Sequence, residues 1–278
     1  MTLSHRRPKL AAMALYANRE RLVILDADGT IIDAFHAIEQ TFLRHDMAIG
    51  DLDRFRKRRK LFKYLGGLRE FPTNLRRQFG KQRRKRLLAT LTEVYRHEAA
   101  LYPGIAALLN TLLATPDVRV GLVTRNITVE PEETLKCLFR RHGIDSGDFD
   151  FVACIPLKEN KLAQLKRVRE FFAINPALSY ACGDEYSDYL AAIGAGMNPF
   201  IVAYGFEDGV RLTTQLGVPS EIISPSPEAF AERLLHTLNL MPESAAGNPP
   251  ARWSPWLREL SVTAPTSQVD ALLQDNEE

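Results

Sequence analysis

Two acids two residues apart, Asp26 and Asp28 in DADGT, stand directly after the apolar run LVIL at 22–25. Such a run reads as a buried strand, and acids at its carboxyl end can face one crevice. A carboxylate there can attack phosphorus and form an aspartyl phosphate, dividing a difficult displacement into two easier ones. The second acid can protonate the leaving oxygen and later deprotonate the attacking water. Gly29 lets the chain turn sharply, and Thr30 is expected to cap its departure. Further on, VGLVTRN puts Thr124 and Arg125, with the backbone N–H groups that follow, where a phosphoryl oxygen can be held. Lys161, which opens KLAQLKRV, or Lys158 just before it, supplies a cation to offset charge on the nucleophile and the phosphoryl group. CGDEYSDYLAAIGAG then holds Asp184 and Asp188 at the start of an expected helix. Beside Asp26 these acids concentrate negative charge, which calls for a hard cation, and oxygen ligands suit Mg²⁺. Singly, each piece has a plain structural reading as turn, helix cap or solvated lysine; together, at successive strand ends, they describe one site.

The elements that must position these residues follow from periodicity. Apolar stretches at 22–26, 118–124, 150–155, 179–183 and 200–204 read as strands, alternating with helices over 105–114, 131–142, 159–172 and 187–195. Alternation of this kind predicts an α/β fold, a Rossmann-like parallel sheet flanked by helices, with its ligands beyond the carboxyl ends of the strands. Residues 33–101 carry helical patterns and few strand signals. The expected plan is therefore a catalytic core of residues 20–32 and 102–238, an inserted all-helical cap over 33–101, and a flexible tail over 239–278. The tail is rich in Pro, Ala, Ser and Gly. Its two tryptophans, Trp253 and Trp256, are expected to dock on the chain's own body.

DADGTIID after a hydrophobic strand, then LVTRN, a lysine and CGDEYSDYLAAIGAGM, resemble the haloacid dehalogenase superfamily of phosphohydrolases, particularly its phosphoglycolate-phosphatase-like branch. LYPGI at 101–105 resembles the re-entry into the core in that branch. The resemblance covers about 22–33 and 101–206. It implies a Rossmann-like core with a helical cap after the first motif, Asp26 as nucleophile and Asp28 as general acid and base. It also implies Mg²⁺ held by the Asp26 side chain, the Asp28 backbone carbonyl and Asp184, with Asp188 supporting the metal site, and phosphate held by Thr124 and a lysine. Two features depart from the family pattern. Ala27 replaces the usual bulky residue between the acids, as in some phosphonate-cleaving relatives, but those typically lack the second acid; retention of Asp28 favours phosphate esters. The third motif's lysine usually precedes a proline, whereas this chain reads LKENKLAQ, so Lys158 and Lys161 both stand as candidates.

Composition narrows the class. The chain has 278 residues, 45% apolar and 25% charged, which excludes collagen-like and globally disordered chains. No apolar stretch reaches the ~18 residues of a spanning helix, so no membrane role is expected. Arg6, Arg7 and Lys9 precede a short apolar run at 10–17, but Asn18, Arg19 and Glu20 follow where a signal peptide would need small residues. Cys137, Cys154 and Cys182 form no CxxC pair, and the six histidines form no HxxH or HxxxH pair, so a disulfide framework and a zinc site are disfavoured and a cytoplasmic location fits. There is no GxxxxGK[ST] and no GxSxG; the GAG at 194–196 reads as a helix C-cap turn.

The net charge of +2 conceals an asymmetry: residues 51–86 carry fifteen Lys or Arg against three acids, leaving −10 for the rest. Apolar residues between those charges suggest amphipathic helices with a basic face, a surface for a polyanion or an acidic protein if it is more than a solvated face. The leading expectation is a Mg²⁺-dependent phosphatase for a small phosphate monoester. The alternatives are a phosphatase or phosphomutase for a larger polyanion, such as a nucleotide or nucleic-acid end, and a non-catalytic binding or regulatory protein on the same fold.

Overall fold

The run Leu22–Leu25 is buried to within 2% on every side chain. A strand apolar on both faces belongs inside a parallel sheet covered by helices. A computed structural model describes residues 19–46 and 81–241 and shows that arrangement. In chain order the elements are β1 (Arg21–Leu25), α1 (Ala34–Leu43), α2 (Lys81–His97), α3 (Ile105–Leu113), β2 (Val118–Thr124), α4 (Pro131–Arg141), β3 (Phe151–Cys154), α5 (Lys161–Phe171), β4 (Ser179–Gly183), α6 (Tyr186–Gly194), β5 (Asn198–Val202), β6 (Ile223–Ser224) and α7 (Pro227–Thr237). The six strands run parallel in the order β3-β2-β1-β4-β5-β6.

Local sequence accounts for the helix starts. Asp33, Asn160 and Ser226 accept backbone N–H groups of His36, Leu162 and Ala229, capping α1, α5 and α7. Pro131 opens α4, whose first turn holds Glu132 and Glu133 and whose last turn holds Arg140 and Arg141, the charge order that suits a helix dipole. Leu135, Leu138 and Phe139 form its buried stripe.

Sheet order decides where a site can form. The chain builds β2 and β3 on one side of β1, then crosses to build β4, β5 and β6 on the other, so the strand order reverses between β1 and β4. A crevice opens beyond the carboxyl ends at such a reversal. Register sets what faces it: Leu25 lies opposite both Leu122 and Cys182. Asp26 is therefore the next residue out from β1, while Thr124 and Asp184 lie one step farther along their own chains.

Three expectations need correction. The strand read at 200–204 runs over Asn198–Val202, and β6 was not anticipated because its two residues carry no periodic signal. Thr30 does not cap the departing chain; Asp33 does, because the turn closes first through Ala27, whose carbonyl accepts N–H groups of Ile31 and Ile32 at 3.0 and 2.9 Å. The GAG turn is as read, with Gly196 at φ 67° just after α6. The two ends of the expected insertion are helical, as α1 and α2; its middle, residues 47–80 and with it most of the basic segment, lies outside the described residues, as do Trp253 and Trp256. No helix among the described residues is long and apolar enough to cross a membrane.

Gly121 marks the tightest approach in the sheet interior. A Cβ there would fall 2.2 Å from the Phe151 ring, which sits beside it on β3. Gly121→Val should destabilise the fold by ~1–3 kcal/mol through overpacking. Urea unfolding checks this, and the cost should shrink in a Phe151→Ala background, since the two positions share the space.

Candidate active site

Three buried carboxylates meet at the β1–β4 reversal. Asp26, Asp184 and Asp188 bring oxygen atoms within 4.8 Å of one another, and their exposures are 8%, 0% and 6%. Like charges so close repel, and burial removes the water that would screen them. One buried side-chain cation answers them: the Lys161 ammonium lies 2.6 Å from Asp26 Oδ2 and 2.7 Å from Asp188 Oδ1. Burial works against the Lys161 charge, but Asp188 and Asp26 prevail and hold it protonated. Lys158 is exposed on the loop before α5 and takes no part in this cluster.

Each carboxylate has a distinct set of partners. Asp26 Oδ1 accepts the Ala27 N–H at 2.8 Å. Asp188, in the first turn of α6, also accepts the Glu185 N–H through Oδ2 at 3.0 Å, so both of its oxygens are engaged. Asp184 takes the Phe206 N–H on Oδ2, and the Thr30 hydroxyl stands 3.5 Å from Oδ1. Among the described residues no lysine or arginine forms an ion pair with Asp184. Burial, reinforced by Asp26, pushes its carboxyl well above the usual carboxylate range, and burial also raises Asp26 against the pull of Lys161. Gly29, at φ 82°, makes this packing feasible. A Cβ on it would lie 2.4 Å from Asp184 Oδ2, so glycine serves both the turn and the close approach.

Three buried acids share one ammonium and offer an oxygen-only donor set. That chemistry fits a hard divalent cation. Asp26, Asp184 and Asp188 are the carboxylates close enough to share it, and both Asp188 oxygens are already engaged by Lys161 and the Glu185 N–H.

Asp28 lies on the other side of the turn, half-buried, in a cavity of about 110 Å³ that Asp26, Thr124, Arg125 and Asp184 also line. Burial and the neighbouring Asp26 push its carboxyl up to about 7. Thr124 Oγ1 is buried without a hydrogen-bond partner. A buried orphan hydroxyl is costly, and this one lines the same cavity as Asp26 and Asp28, where a bound polar group could satisfy it. Arg125 does not point freely at this position: its guanidinium donates to Glu185 and to Ser187 Oγ, each at 3.0 Å.

The sequence reading did not single out Tyr95, Asn126, Glu185 or Phe206, all of which touch the named residues. Asn126 and Glu185 had a signal, since each sits beside a candidate in VTRN or GDEYSD. Tyr95 had none, because only the fold brings α2 against the β1 turn.

The raised Asp28 pKa has a consequence for stability. A native carboxyl that holds its proton more tightly than the unfolded chain contributes most at pH below about 4 and loses that contribution as pH rises towards about 7. Metal-free protein unfolded in urea at pH 4.5 and 7.5 should lose ~1–3 kcal/mol more over that interval than the Asp28→Asn variant does. Parallel curves for the two proteins would contradict it.

The match to known proteins agrees with this architecture. The family model of haloacid dehalogenase-like hydrolases matches residues 23–192. A haloacid dehalogenase-like family hydrolase from Streptococcus pneumoniae is similar in structure at 18% identity and TM-score 0.54, covering 78% of this chain and 98% of its own. A predicted phosphatase from Clostridium acetobutylicum is similar at 18% identity and TM-score 0.53, covering 78% and 99%. A mutant of CbbY from Rhodobacter sphaeroides, in complex with xylulose-(1,5)bisphosphate, is similar at 20% identity and TM-score 0.52, covering 77% and 96%. No curated protein sequence matches the chain. At these identities the structures speak for the fold alone, but the family match spans more than half of the sequence and includes the ends of β1, β2 and β4, and the chain belongs to the haloacid dehalogenase-like hydrolases.

Proposed function

We propose that this hydrolase is a phosphatase that cleaves a small phosphate monoester through an aspartyl phosphate on Asp26. The observation that carries the reading is the pairing of two unlike carboxyls in one cavity. Asp26 is locked against Lys161, while Asp28, raised to about 7, is poised to carry a proton near neutral pH. In the first step an Asp26 oxygen bonds to phosphorus, the P–O ester bond breaks, and the leaving oxygen takes the Asp28 proton. In the second a water oxygen attacks phosphorus and gives its proton to the Asp28 carboxylate. The bond to Asp26 then breaks and inorganic phosphate leaves.

The other residues hold the phosphoryl group. The orphan Thr124 hydroxyl donates to one of its oxygens, and the Lys161 ammonium aligns Asp26 and opposes the effect of its burial. Arg125, fixed by Glu185 and Ser187, adds positive potential at the cavity wall. Mg²⁺ held by Asp26, Asp184 and the Asp28 carbonyl would offset the charge that gathers on the phosphoryl oxygens. The donor set supports this choice of ion through its all-oxygen character. Free thiols at Cys137, Cys154 and Cys182 fit a reducing, cytoplasmic setting for such an enzyme.

Purified protein with Mg²⁺ should release phosphate from an aryl phosphate and from at least one member of a panel of phosphometabolites, nucleotides and 5′-phosphorylated oligonucleotides. EDTA should abolish release, and Asp26→Asn should lower turnover by at least ~10³-fold, as expected for loss of the nucleophile. Preference for nucleotides or oligonucleotides, with turnover that falls steeply with salt, would instead favour a polyanionic substrate. No release from folded, metal-loaded protein on any ester would favour the binding-protein reading.

A further inference from the structure

Asp28 is gripped from outside its own turn. Tyr95, near the end of α2 and only 3% exposed, donates its hydroxyl to Asp28 Oδ1 at 2.9 Å. Asn126, just past β2, donates its Nδ2 to Oδ1 at 3.2 Å and to Oδ2 at 3.0 Å. The amide is oriented from behind. The Thr128 N–H donates to Asn126 Oδ1 at 3.0 Å and the Thr128 hydroxyl binds the same oxygen, so the nitrogen faces the carboxyl group.

The helix that carries Tyr95 is fastened to the same part of the core. Val129 N–H donates to Thr92 Oγ1 at 2.9 Å, and Arg96 donates to Thr134 Oγ1 at 3.2 Å and Glu130 at 3.0 Å. Arg141, from α4, donates to the carbonyls of Tyr95, Arg96 and Ala99 at 3.1, 3.2 and 2.7 Å. These bonds satisfy carbonyls that the helix end leaves without a partner of their own. Two donors, on a helix and a loop that are braced against each other, therefore converge on one carboxyl group, in the cavity that Asp26 also lines.

We propose that Tyr95 is a positioning residue for Asp28, holding the carboxyl group where its proton meets the ester oxygen as the P–O bond breaks. The inference rests on the phosphatase reading, since it assigns Tyr95 a part in that proton transfer. When the bond breaks, its electron pair stays on the ester oxygen, which takes the proton. Asp28 becomes a carboxylate able to accept all three hydrogen bonds from Tyr95 and Asn126. A misplaced acid costs most where the departing oxygen is strongly basic and little where it leaves readily as an anion.

The test is the single-turnover release of the leaving group by Mg²⁺-loaded wild type and Tyr95→Phe, using propyl phosphate and 2,4-dinitrophenyl phosphate. Phe keeps the buried ring and removes only the hydroxyl. Release from propyl phosphate should fall ~10–100-fold and from the dinitrophenyl ester less than ~3-fold, with KM changed less than ~3-fold and Asp28→Asn showing the same selectivity more strongly. Both esters are measured on one preparation, so a partly folded variant lowers both alike and leaves their ratio unchanged. An equal loss on both esters, or no loss on propyl phosphate, overturns the assignment of Tyr95 while leaving the phosphatase reading in place. Wild-type protein inert towards both esters overturns the phosphatase reading and this inference with it.

Discussion

The Lys161 ammonium, buried between Asp26 and Asp188, is the interaction on which the rest of the site depends. Taking an ion pair out of water carries a desolvation penalty of several kcal/mol per ion, recovered only when geometry is close and the remaining oxygens are satisfied. Here the distances are short and every Asp188 oxygen is used. Yet one cation cannot neutralise three acids, and Asp184, fully buried, meets only neutral donors among the described residues. A pocket of this kind is organised to be incomplete. It ties Asp26 and Asp188 to one ammonium while leaving an all-oxygen set that a divalent cation would suit.

Such a concentration of charge is sustainable only where backbone geometry enforces it, and the sheet supplies that enforcement. β1 is covered on both sides by strands of matching register, so Asp26 and Asp184 cannot drift apart without breaking the ladder that ties Leu25 to Cys182. The Asp26 N–H donates to the Cys182 carbonyl at 2.9 Å, extending that ladder one residue into the site. The turn that follows is closed on Ala27 and braced from outside by the Tyr204 hydroxyl on the Thr30 carbonyl. Rigid strands thus place Asp26, and a tight turn places Asp28 a fixed distance away.

The second acid is controlled differently from the first. Asp26 is held by a charge, Asp28 by neutral donors from a helix and a loop outside the turn. The difference suits the roles proposed for them, one as nucleophile and the other as the acid and base that exchanges its proton. Two carboxyls separated by a single alanine therefore live in unlike environments, and the contrast arises from what packs on either side of the turn.

The sequence by itself determined most of the strands and helices and the residue types at the strand ends. An apolar run ending in DADGT, a second ending in VTRN and a third ending in CGDEY each mark a buried strand and the polar residue at its exit, because periodicity and residue type are local properties of the chain. It could not choose between Lys158 and Lys161. Three residues apart, they differ only in which side of the start of α5 they fall on; the helix that begins at Lys161, capped by Asn160, buries that lysine against Asp26 and leaves Lys158 on the exposed loop. Nor could it find Tyr95, which lies 67 residues from the acid it touches and carries no motif. Contacts of that separation are set by how helices pack on a sheet, and only the tertiary structure decides them.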